Sequence, residues 1–353
     1  MIEVKEQKLA TYYFQLAEKA CADFPELDVR SLHEEARMQL HDGLTAKEIL
    51  QIITQTAVEK TSAEEPNWQF VAARLLAHQL YEEAAQNRGY DVSKRYGSFF
   101  ELISHLTKEG LYGAYLLEHY SKEEIQELEQ YMQPDRDRLF NYIGLKVLTD
   151  RYLVRDFEGR IMELPQERFM VIAMHLAQKE KDRLSWAKKF YDVLSKLELT
   201  VATPTLANAG KPLHQLSSCF IDTVEDSLWS IYNTNSATAQ VSKFGGGVGI
   251  YLGKVRSKGS KIRGHKGASG GVIPWIRNYN NTAVAVDQLG VRRGAFAIYL
   301  DVWHADILDF LNLKTNNGDD RLKAHDIFPG VCIPDLFMEK VKARESWYLF
   351  DPH

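Results

Sequence analysis

Cysteine is scarce in this sequence. Its three cysteines, Cys21, Cys219 and Cys332, are far apart, so they can form neither a disulfide framework nor a closely spaced metal-binding cluster. This usage is typical of a reduced protein, and a cytoplasmic location is expected. No apolar run approaches the roughly 20 residues needed to cross a bilayer. The N-terminus carries scattered charges and lacks the apolar stretch of a secretion signal, so neither a membrane nor a secreted protein is expected.

An excess of basic charge is also lacking. The 43 Lys and Arg residues are outnumbered by 48 Asp and Glu residues, which gives a formal net charge of −5. General nucleic-acid-binding proteins are normally basic, so DNA is not an expected partner. Small anionic ligands are compatible with this charge, because local basic segments can exist in an acidic chain. With 16 Phe, 17 Tyr and 6 Trp among its 353 residues, the sequence can fill a large core, which excludes disorder as its main state.

The first 200 or so residues have mostly helical patterning, with apolar residues three and four positions apart. Two predicted helix starts carry a capping box, in which a hydroxyl side chain and a Glu three residues later satisfy free backbone amides. These pairs are Thr45 with Glu48 and Ser121 with Glu124. The sequence therefore predicts a helical N-terminal region.

Glycine and short β-rich segments are concentrated after about residue 200. Strands are predicted at 218–221, 248–252, 295–299 and 331–334, with helical patterns between them that include 227–243 and 272–287. Strands that alternate with helices indicate parallel β/α units. We therefore expect a domain boundary between about residues 165 and 200.

The end of the sequence also has a strand-like pattern. Residues 347–350 are apolar and aromatic, and Asp351, Pro352 and His353 follow at once. A parallel β/α architecture needs a covering helix after such a strand. We therefore expect the chain to be a fragment or one part of a split subunit.

A glycine-rich run occupies residues 244–250. Consecutive glycines allow a backbone to approach an anion closely, but they also allow tight packing of a helix on a strand. The run matches neither the dinucleotide fingerprint nor the Walker A pattern, because Ile250, Leu252 and Val255 stand where those motifs need other residues. Ligand contact and close packing are both compatible with it.

The segment 253–267 is strongly basic. It contains six Lys and Arg side chains, two serines and four glycines in fifteen residues. Such a loop can clamp a phosphate, although a solvated surface loop is the alternative. The segment 287–294 pairs Arg and Gly again. Two such loops after successive strands would meet at one end of a parallel sheet, where ligands normally bind.

Three other candidates favour structural roles when judged by residue type alone. Cys219 precedes an apolar strand and would usually be a small buried hydrophobe. His304 near Asp306, and His325 beside Asp326, have no third ligand at a useful spacing. Structural histidines are therefore expected, and no metal site is predicted.

A series of motifs in residues 202–318 resembles the large, catalytic subunit of class I ribonucleotide reductase. In chain order, the matching motifs are Ala202-Thr-Pro-Thr205, Ser217-Ser-Cys219, Asp226-Ser-Leu228, Lys243-Phe-Gly-Gly-Gly-Val-Gly249, Gly259-Ser-Lys-Ile-Arg-Gly264, Gln288-Leu-Gly-Val-Arg-Arg-Gly294 and Lys314-Thr-Asn-Asn-Gly318. Tyr142-Ile-Gly and Glu163-Leu-Pro-Gln166 resemble the family's helical domain. The resemblance covers nearly all of this chain but only about the first half of the family's subunit.

The resemblance implies an α/β fold, with a helical N-terminal domain followed by the first part of a ten-stranded α/β barrel. Residues 1–165 would form the helical domain, without the ATP-cone that precedes it in many relatives. Residues 166–353 would form the truncated barrel, with its substrate and effector loops.

The resemblance also implies a chemistry, the radical-dependent reduction of ribonucleoside diphosphates to deoxyribonucleoside diphosphates for DNA synthesis. Cys219 aligns with the first member of the family's redox-active cysteine pair. The radical cysteine and the second redox cysteine have no counterpart in these 353 residues, so this chain alone is expected to be inactive. The family's substrate-contacting positions correspond to Thr203, Ser218, Cys219 and Gly247.

An allosteric specificity site is implied as well, where ATP or a deoxynucleotide selects the base to be reduced. The matching residues are Asp226, Ser227, Leu228, Arg256, Ile262 and Arg263. The loop that carries the signal from effector to substrate would contain Gln288, Gly290, Arg292 and Arg293. In the family, helices corresponding to 228–241 and 273–286 form a dimer interface beside this site.

The expected partners follow from the same resemblance. No cofactor would bind this chain directly, because a separate metal-containing small subunit supplies the radical. The other partners would be the missing C-terminal half, a thioredoxin- or glutaredoxin-type reductant and a second copy in a homodimer. Two alternatives remain open, namely a non-catalytic nucleotide-binding and dimerisation half of a split reductase, and a cobalamin-dependent reductase.

Overall fold

The computed structural model describes residues 4–286 and 294–353, which form two compact units. The first unit comprises Met1–Val201 with Thr205–His214, and the second comprises Ala202–Pro204 with Gln215–His353. Each unit is described separately below.

The described part of the first unit is helical. Its α-helices are α1 (Val4–Cys21), α2 (Val29–Gln39), α3 (Ala46–Glu59), α4 (Trp68–Arg88), α5 (Phe99–Lys108), α6 (Tyr115–His119), α7 (Lys122–Tyr131), α8 (Tyr142–Arg151), α9 (Pro165–Ala177) and α10 (Arg183–Ser195). Short 3-10 helices lie at Val92–Lys94 and Pro134–Leu139, and α11 (Thr203–Asn208) follows α10.

Local sequence explains where several of these helices begin. Both predicted capping boxes are confirmed, at Thr45 before α3 and at Ser121 before α7. In each, the hydroxyl oxygen accepts a hydrogen bond from the backbone N–H three residues later, and the Glu side chain accepts one from the cap residue. These bonds satisfy amides that a helix start otherwise leaves without a partner.

Helix α9 lies in the interior of the first unit. Twelve of its thirteen residues are buried, and it packs along α10. Its start is set by Pro165, whose fixed φ suits a first helical position. Because α9 and α10 pack with helices of the first unit, the division between the two compact units falls at residues 201–215, next to the range of 165 to 200 expected for the boundary.

The described residues of the second unit form four parallel strands in sequential order, with helices between them. Its elements are β1 (Cys219–Thr223), α12 (Leu228–Lys243), β2 (Gly247–Tyr251), α13 (Ile273–Ala285), β3 (Phe296–Asp301), α14 (Ile307–Leu311), a 3-10 helix at Asp320–Leu322, β4 (Phe328–Cys332) and α15 (Asp335–Ala343). The predicted parallel β/α arrangement is confirmed, and it agrees with the first part of the expected barrel.

One face of this sheet is buried and the other is open within the unit. Val248, Ile250 and Ile298 are buried beneath α12, α13 and α14. On the opposite face, Cys219 is exposed and the Ile221 side chain is 88% exposed. Alternate side chains of a strand point to opposite faces of the sheet, so one face here is buried and the other is open. The open face carries the predicted redox cysteine.

The predicted strand at 347–350 is not formed. Only Phe350 makes an isolated bridge, with His304. Its backbone N–H donates to the Trp303 carbonyl at 2.9 Å, and its ring stacks on Trp303 with a centroid distance of 4.5 Å. These contacts attach the segment to the turn after β3 instead of to the edge of the sheet. No helix among the described residues combines the length and apolar character needed to cross a membrane.

Candidate functional site

A cavity of about 560 Å³ lies beside the start of α12 in the second unit. Its walls include all six residues expected at the effector site, which are Asp226, Ser227, Leu228, Arg256, Ile262 and Arg263. The turn before α12 supplies Asp226 and Ser227, the helix itself begins with Leu228, and the loop after β2 supplies the other three. The parallel connection of β1 and β2 explains their proximity, because both segments follow the carboxyl ends of adjacent strands.

The N-terminus of α12 opens into this cavity. Ser227 is the N-cap, and its Oγ accepts a hydrogen bond from the Ser230 backbone N–H at 3.1 Å. The first turn of a helix presents unpaired N–H groups and a partial positive charge, both of which favour an anion. This end of the cavity is therefore suited to negative charge.

Asp226 and Arg256 form a pair across the cavity wall. Arg256 Nε donates to Oδ2 of Asp226 at 2.9 Å, and Nη2 forms an ion pair with the same oxygen at 2.7 Å. The Arg256 backbone N–H donates to Oδ1 at 3.1 Å. Burial raises the pKa of the Asp226 carboxyl, but the hydrogen bonds from Arg256 outweigh it and lower the pKa overall. The carboxylate is therefore ionised at neutral pH and can act only as an acceptor.

The charges of the basic loop 253–267 are only partly neutralised. Lys254 pairs with Glu225 at 2.5 Å, and Arg256 pairs with Asp226. Among the residues that the structure describes, the other four Lys and Arg side chains of the loop make no ion pair, and these are Lys258, Lys261, Arg263 and Lys266. A bound polyanion could use this unpaired charge.

Arg263 sits at a tight turn in that loop. Ile262 and His265 exchange backbone hydrogen bonds of 3.1 and 3.0 Å, and the residues between them, Arg263 and Gly264, have positive φ values of 50° and 84°. A positive φ is uncommon for a residue other than glycine. The turn places the exposed residue Arg263 at the rim of the cavity.

Asp306 ties the basic loop to the start of α13. Its buried carboxylate accepts hydrogen bonds from the backbone N–H of Lys258 at 2.9 Å and of Val272 at 3.0 Å. Gly271 lies so close that a Cβ there would be 2.3 Å from Oδ2 of Asp306, so this position requires glycine. Sequence reasoning considered Asp306 only as a metal ligand and missed this role.

His304 supports the same loop from beneath. The Asp306 backbone N–H donates to His304 Nδ1 at 3.1 Å, so Nε2 carries the proton and donates to the Val255 carbonyl at 2.8 Å. His304 is fully buried, which agrees with the structural role predicted for it. No group of three His, Cys, Asp or Glu residues in the described ranges is arranged to hold a metal ion.

The cavity also has an apolar wall that sequence reasoning did not identify. Ile231, Val255, Pro274 and Trp275 line it. Pro274 and Trp275 belong to the first turn of α13. The available signal was the Val-Ile-Pro-Trp sequence at the start of this helix, four residues after the basic loop. A cavity with a basic rim and an apolar wall can hold a ligand that has both an anionic and a flat apolar part.

Cys219 occupies the first position of β1. It pairs in register with Gly247, whose backbone N–H donates to the Ser218 carbonyl at 2.7 Å. The Ser218 Oγ lies 3.5 Å from the Cys219 Sγ. Cys219 is exposed, so the expectation from residue type that it would be a buried hydrophobe is wrong. The structure thus brings together three of the four predicted substrate-site residues.

The remaining predictions have mixed outcomes. Thr203 begins α11 and groups with the second unit, but its expected role stays a prediction. In the glycine-rich run, a Cβ at Gly246 would be 2.6 Å from the Val241 side chain, so this glycine serves close packing of α12 on the sheet. The expected communication residues Gln288, Gly290, Arg292 and Arg293 lie outside the described residues.

Comparisons with known proteins are consistent with this arrangement. Residues 138–214 match the all-alpha domain of ribonucleotide reductase, and residues 217–353 match its barrel domain. The fold and these two matches together define the class of protein. It is a ribonucleotide reductase chain that contains the helical domain followed by part of the barrel.

Several relatives are named ribonucleoside-diphosphate reductase subunit alpha. The one from Treponema pallidum is 50% identical over 94% of this chain and 39% of its own length. Those from Helicobacter pylori and Synechocystis are 45% and 40% identical over 91% and 93% of this chain. The chain belongs to the ribonucleotide reductase large-subunit family, and it spans about two fifths of the length of these relatives.

Proposed function

We propose that this chain is the N-terminal part of a ribonucleoside-diphosphate reductase large subunit. It contributes an effector site and one redox cysteine to the reduction of ribonucleoside diphosphates to deoxyribonucleoside diphosphates, which supplies DNA synthesis. The proposal rests on one observation. Six residues that are spread along the sequence from Asp226 to Arg263 line the same cavity.

The chemistry of the cavity suits a deoxynucleoside triphosphate or ATP. The triphosphate would lie between the α12 N-terminus and the unpaired cations of loop 253–267. The ionised Asp226 carboxylate would accept a hydrogen bond from a sugar hydroxyl. The base would pack on the apolar wall at Trp275.

Cys219 would act on the ribose in the complete enzyme. A thiyl radical from elsewhere in the subunit abstracts the 3′ hydrogen, and the Cys219 thiol protonates the departing 2′ hydroxyl, which leaves as water. Cys219 and a second cysteine then supply two electrons and become a disulfide, which a thioredoxin- or glutaredoxin-type protein reduces. A thiol suits both steps, because it is a modest acid and, when paired, a two-electron reductant.

The second cysteine must come from outside this chain. Cys332 lies on β4, three strands away from Cys219 on β1 and near the opposite end of the sheet. At about 4.8 Å per strand, the lateral separation alone is roughly 14 Å. A disulfide needs Cα atoms within about 7 Å. Cys21 is buried, and burial raises the pKa of its thiol to about 11, which makes it a poor nucleophile.

The exposed side chains on α12 and α13 support the proposed homodimer. Trp229, Tyr232 and Val284 are exposed by 76%, 52% and 62%. Large apolar side chains concentrated on neighbouring helices favour burial against a partner. A second copy would cover them beside the effector cavity. The radical itself would come from a separate metal-containing small subunit.

A second candidate function applies to the 353 residues alone. Because Cys219 has no cysteine within disulfide reach among the described residues of its unit, the isolated chain would bind effector and dimerise without catalysis. Activity on adding a polypeptide that supplies the rest of the subunit would favour a split reductase. A requirement for added cobalamin instead of a small subunit would favour the cobalamin-dependent class.

The experiment is calorimetric titration of the chain with each deoxynucleoside triphosphate and with ATP. Arg263→Ala should weaken binding by roughly 10- to 150-fold, because one charge-assisted contact is worth about 1.5–3 kcal/mol. Lys342→Ala is the matched control, since Lys342 is exposed on α15 and does not line the cavity. Equal affinities in wild type and Arg263→Ala would remove the effector assignment.

A further inference from the structure

The helical first unit contains a second basic cavity, separate from the site proposed above. It has a volume of about 300 Å³ and is bounded by α1, α4 and the 3-10 helix Pro134–Leu139. Its wall carries four cationic side chains, which are Lys19, Arg74, Arg95 and Arg138. None of the motifs discussed above accounts for this cluster.

Two of these arginines share a single carboxylate. Arg74 Nη2 and Arg138 Nη2 both donate to Oδ2 of Asp23, at 2.7 and 2.6 Å. Their guanidinium groups are therefore close together with one negative charge between them. Burial, followed by the nearby charge of Arg138, lowers the pKa of Arg74. Like charges held this close favour an additional anion.

Further unused hydrogen-bonding capacity surrounds this pair. The Arg74 Nε is buried and has no hydrogen-bond partner. In the described part of the chain, the Lys19 ammonium makes no ion pair. Lys19 is exposed, so its ammonium is available to an anion in the cavity.

The acidic residues of the cavity are already engaged. Asp135 pairs with Arg95 at 2.8 Å. Asp137 accepts hydrogen bonds from Tyr81 at 2.6 Å, Tyr96 at 2.7 Å and the Gln166 side-chain amide at 2.8 Å, and burial raises its pKa. The cations that remain available are therefore Lys19 and the arginine pair on Asp23.

We propose that this cavity binds the phosphate group of a small anion, either free pyrophosphate or the phosphate of a mononucleotide. Two guanidinium groups suit bidentate recognition of phosphate oxygens, and Lys19 adds a point charge. The volume accommodates a ligand of this size but not a macromolecule.

The test is calorimetric titration of the 353-residue chain with pyrophosphate and, separately, with AMP. Arg138→Ala and Lys19→Ala should each weaken binding about tenfold or more, because each removes one charge-assisted contact. Both side chains lie at the surface, so the variants should fold. Arg30→Ala is the control, since Arg30 is an exposed arginine of the same unit that does not line the cavity.

Binding that both cavity variants weaken and Arg30→Ala leaves unchanged would support the proposal. Pyrophosphate binding without AMP binding would identify the free anion, and the reverse would identify the nucleotide. If neither probe binds, or if the cavity variants do not alter binding, the proposal is overturned. Arg263→Ala should leave this binding intact, so the outcome is independent of the effector site.

Discussion

Removal of the Asp306 carboxylate should release the basic loop from its anchored conformation. Asp306 is buried and accepts from the backbone N–H groups of Lys258 and Val272, at 2.9 and 3.0 Å. A hydrogen bond to a charged group contributes about 1.5–3 kcal/mol, so Asp306→Ala should lower the free energy of opening the loop by about 3–6 kcal/mol. Even the lower value corresponds to a roughly 150-fold loss of amide protection.

Hydrogen exchange measured by mass spectrometry on peptides covering 253–275 is the direct assay. Asp306→Asn keeps one acceptor oxygen and should produce a smaller loss. Gly271→Ala should produce the same loss by another route, because its Cβ would be 2.7 Å from the Lys258 nitrogen and its φ is +73°. Asp309→Asn, in the short helix α14 that follows Asp306, is the control. Unchanged protection of this segment in Asp306→Ala would refute the anchoring role.

The same anchor should matter for ligand binding. A loop that opens more easily presents Arg263 and its neighbouring cations less often in the binding geometry. Ordering the loop then costs free energy at the moment of binding. Asp306→Ala and Gly271→Ala should therefore both bind deoxynucleoside triphosphates more weakly than wild type. The variant that loses more amide protection should also lose more affinity. Weaker protection without weaker binding would show that the loop conformation is not used for the ligand.

Three further predictions concern chemistry and stability. In a complete reductase, Cys219→Ser should abolish multiple turnover and change substrate binding little. The control variant Cys332→Ser should retain most turnover. Normal turnover of Cys219→Ser with a thiol reductant would refute the redox role of Cys219. The 353-residue chain mixed with a small radical-generating subunit should form no deoxynucleotide, which product analysis can check. Any product would contradict the assignment of the second cysteine to a part of the subunit outside these 353 residues. Finally, burial and the nearby His214 and Arg168 lower the pKa of His175 to about 4. In the unfolded state the pKa of His175 is near 6.5, so between about pH 4 and 6.5 the unfolded state binds more protons than the folded state. The free energy of unfolding should therefore rise by up to about 3 kcal/mol over this pH range. Urea unfolding should show this rise in wild type and a flatter dependence in His175→Gln; identical profiles would rule His175 out as the cause.

The alternation of strands and helices was predictable because each element carries its own periodic pattern. Three strands of the second unit and the two capping boxes were found in this way. The strand predicted at 331–334 shares only two residues with β4 (Phe328–Cys332). The segment 347–350 has the composition of a strand, but whether a strand forms depends on a neighbouring edge. Stacking of Phe350 on Trp303 and backbone bonds to the turn after β3 determined its position instead. Such long-range contacts leave no periodic signal.

The candidate site was predictable only where a resemblance supplied it. The pattern of residues 253–267 indicated an anion-binding loop, and the family motif placed Asp226 beside it. Neither could show that Arg256 is already paired with Asp226, which leaves Arg263 as the more available cation. The roles of Asp306 and Trp275 depend on tertiary contacts, because both lie outside the recognised motifs.

The most direct test of the central claim is a crystal structure of this chain with a deoxynucleoside triphosphate. The account predicts the triphosphate between the N-terminus of α12 and the loop that carries Arg263, the sugar hydroxyl on Asp226, and the base against Trp275. A nucleotide bound elsewhere in the second unit, with this cavity empty, would contradict the effector assignment.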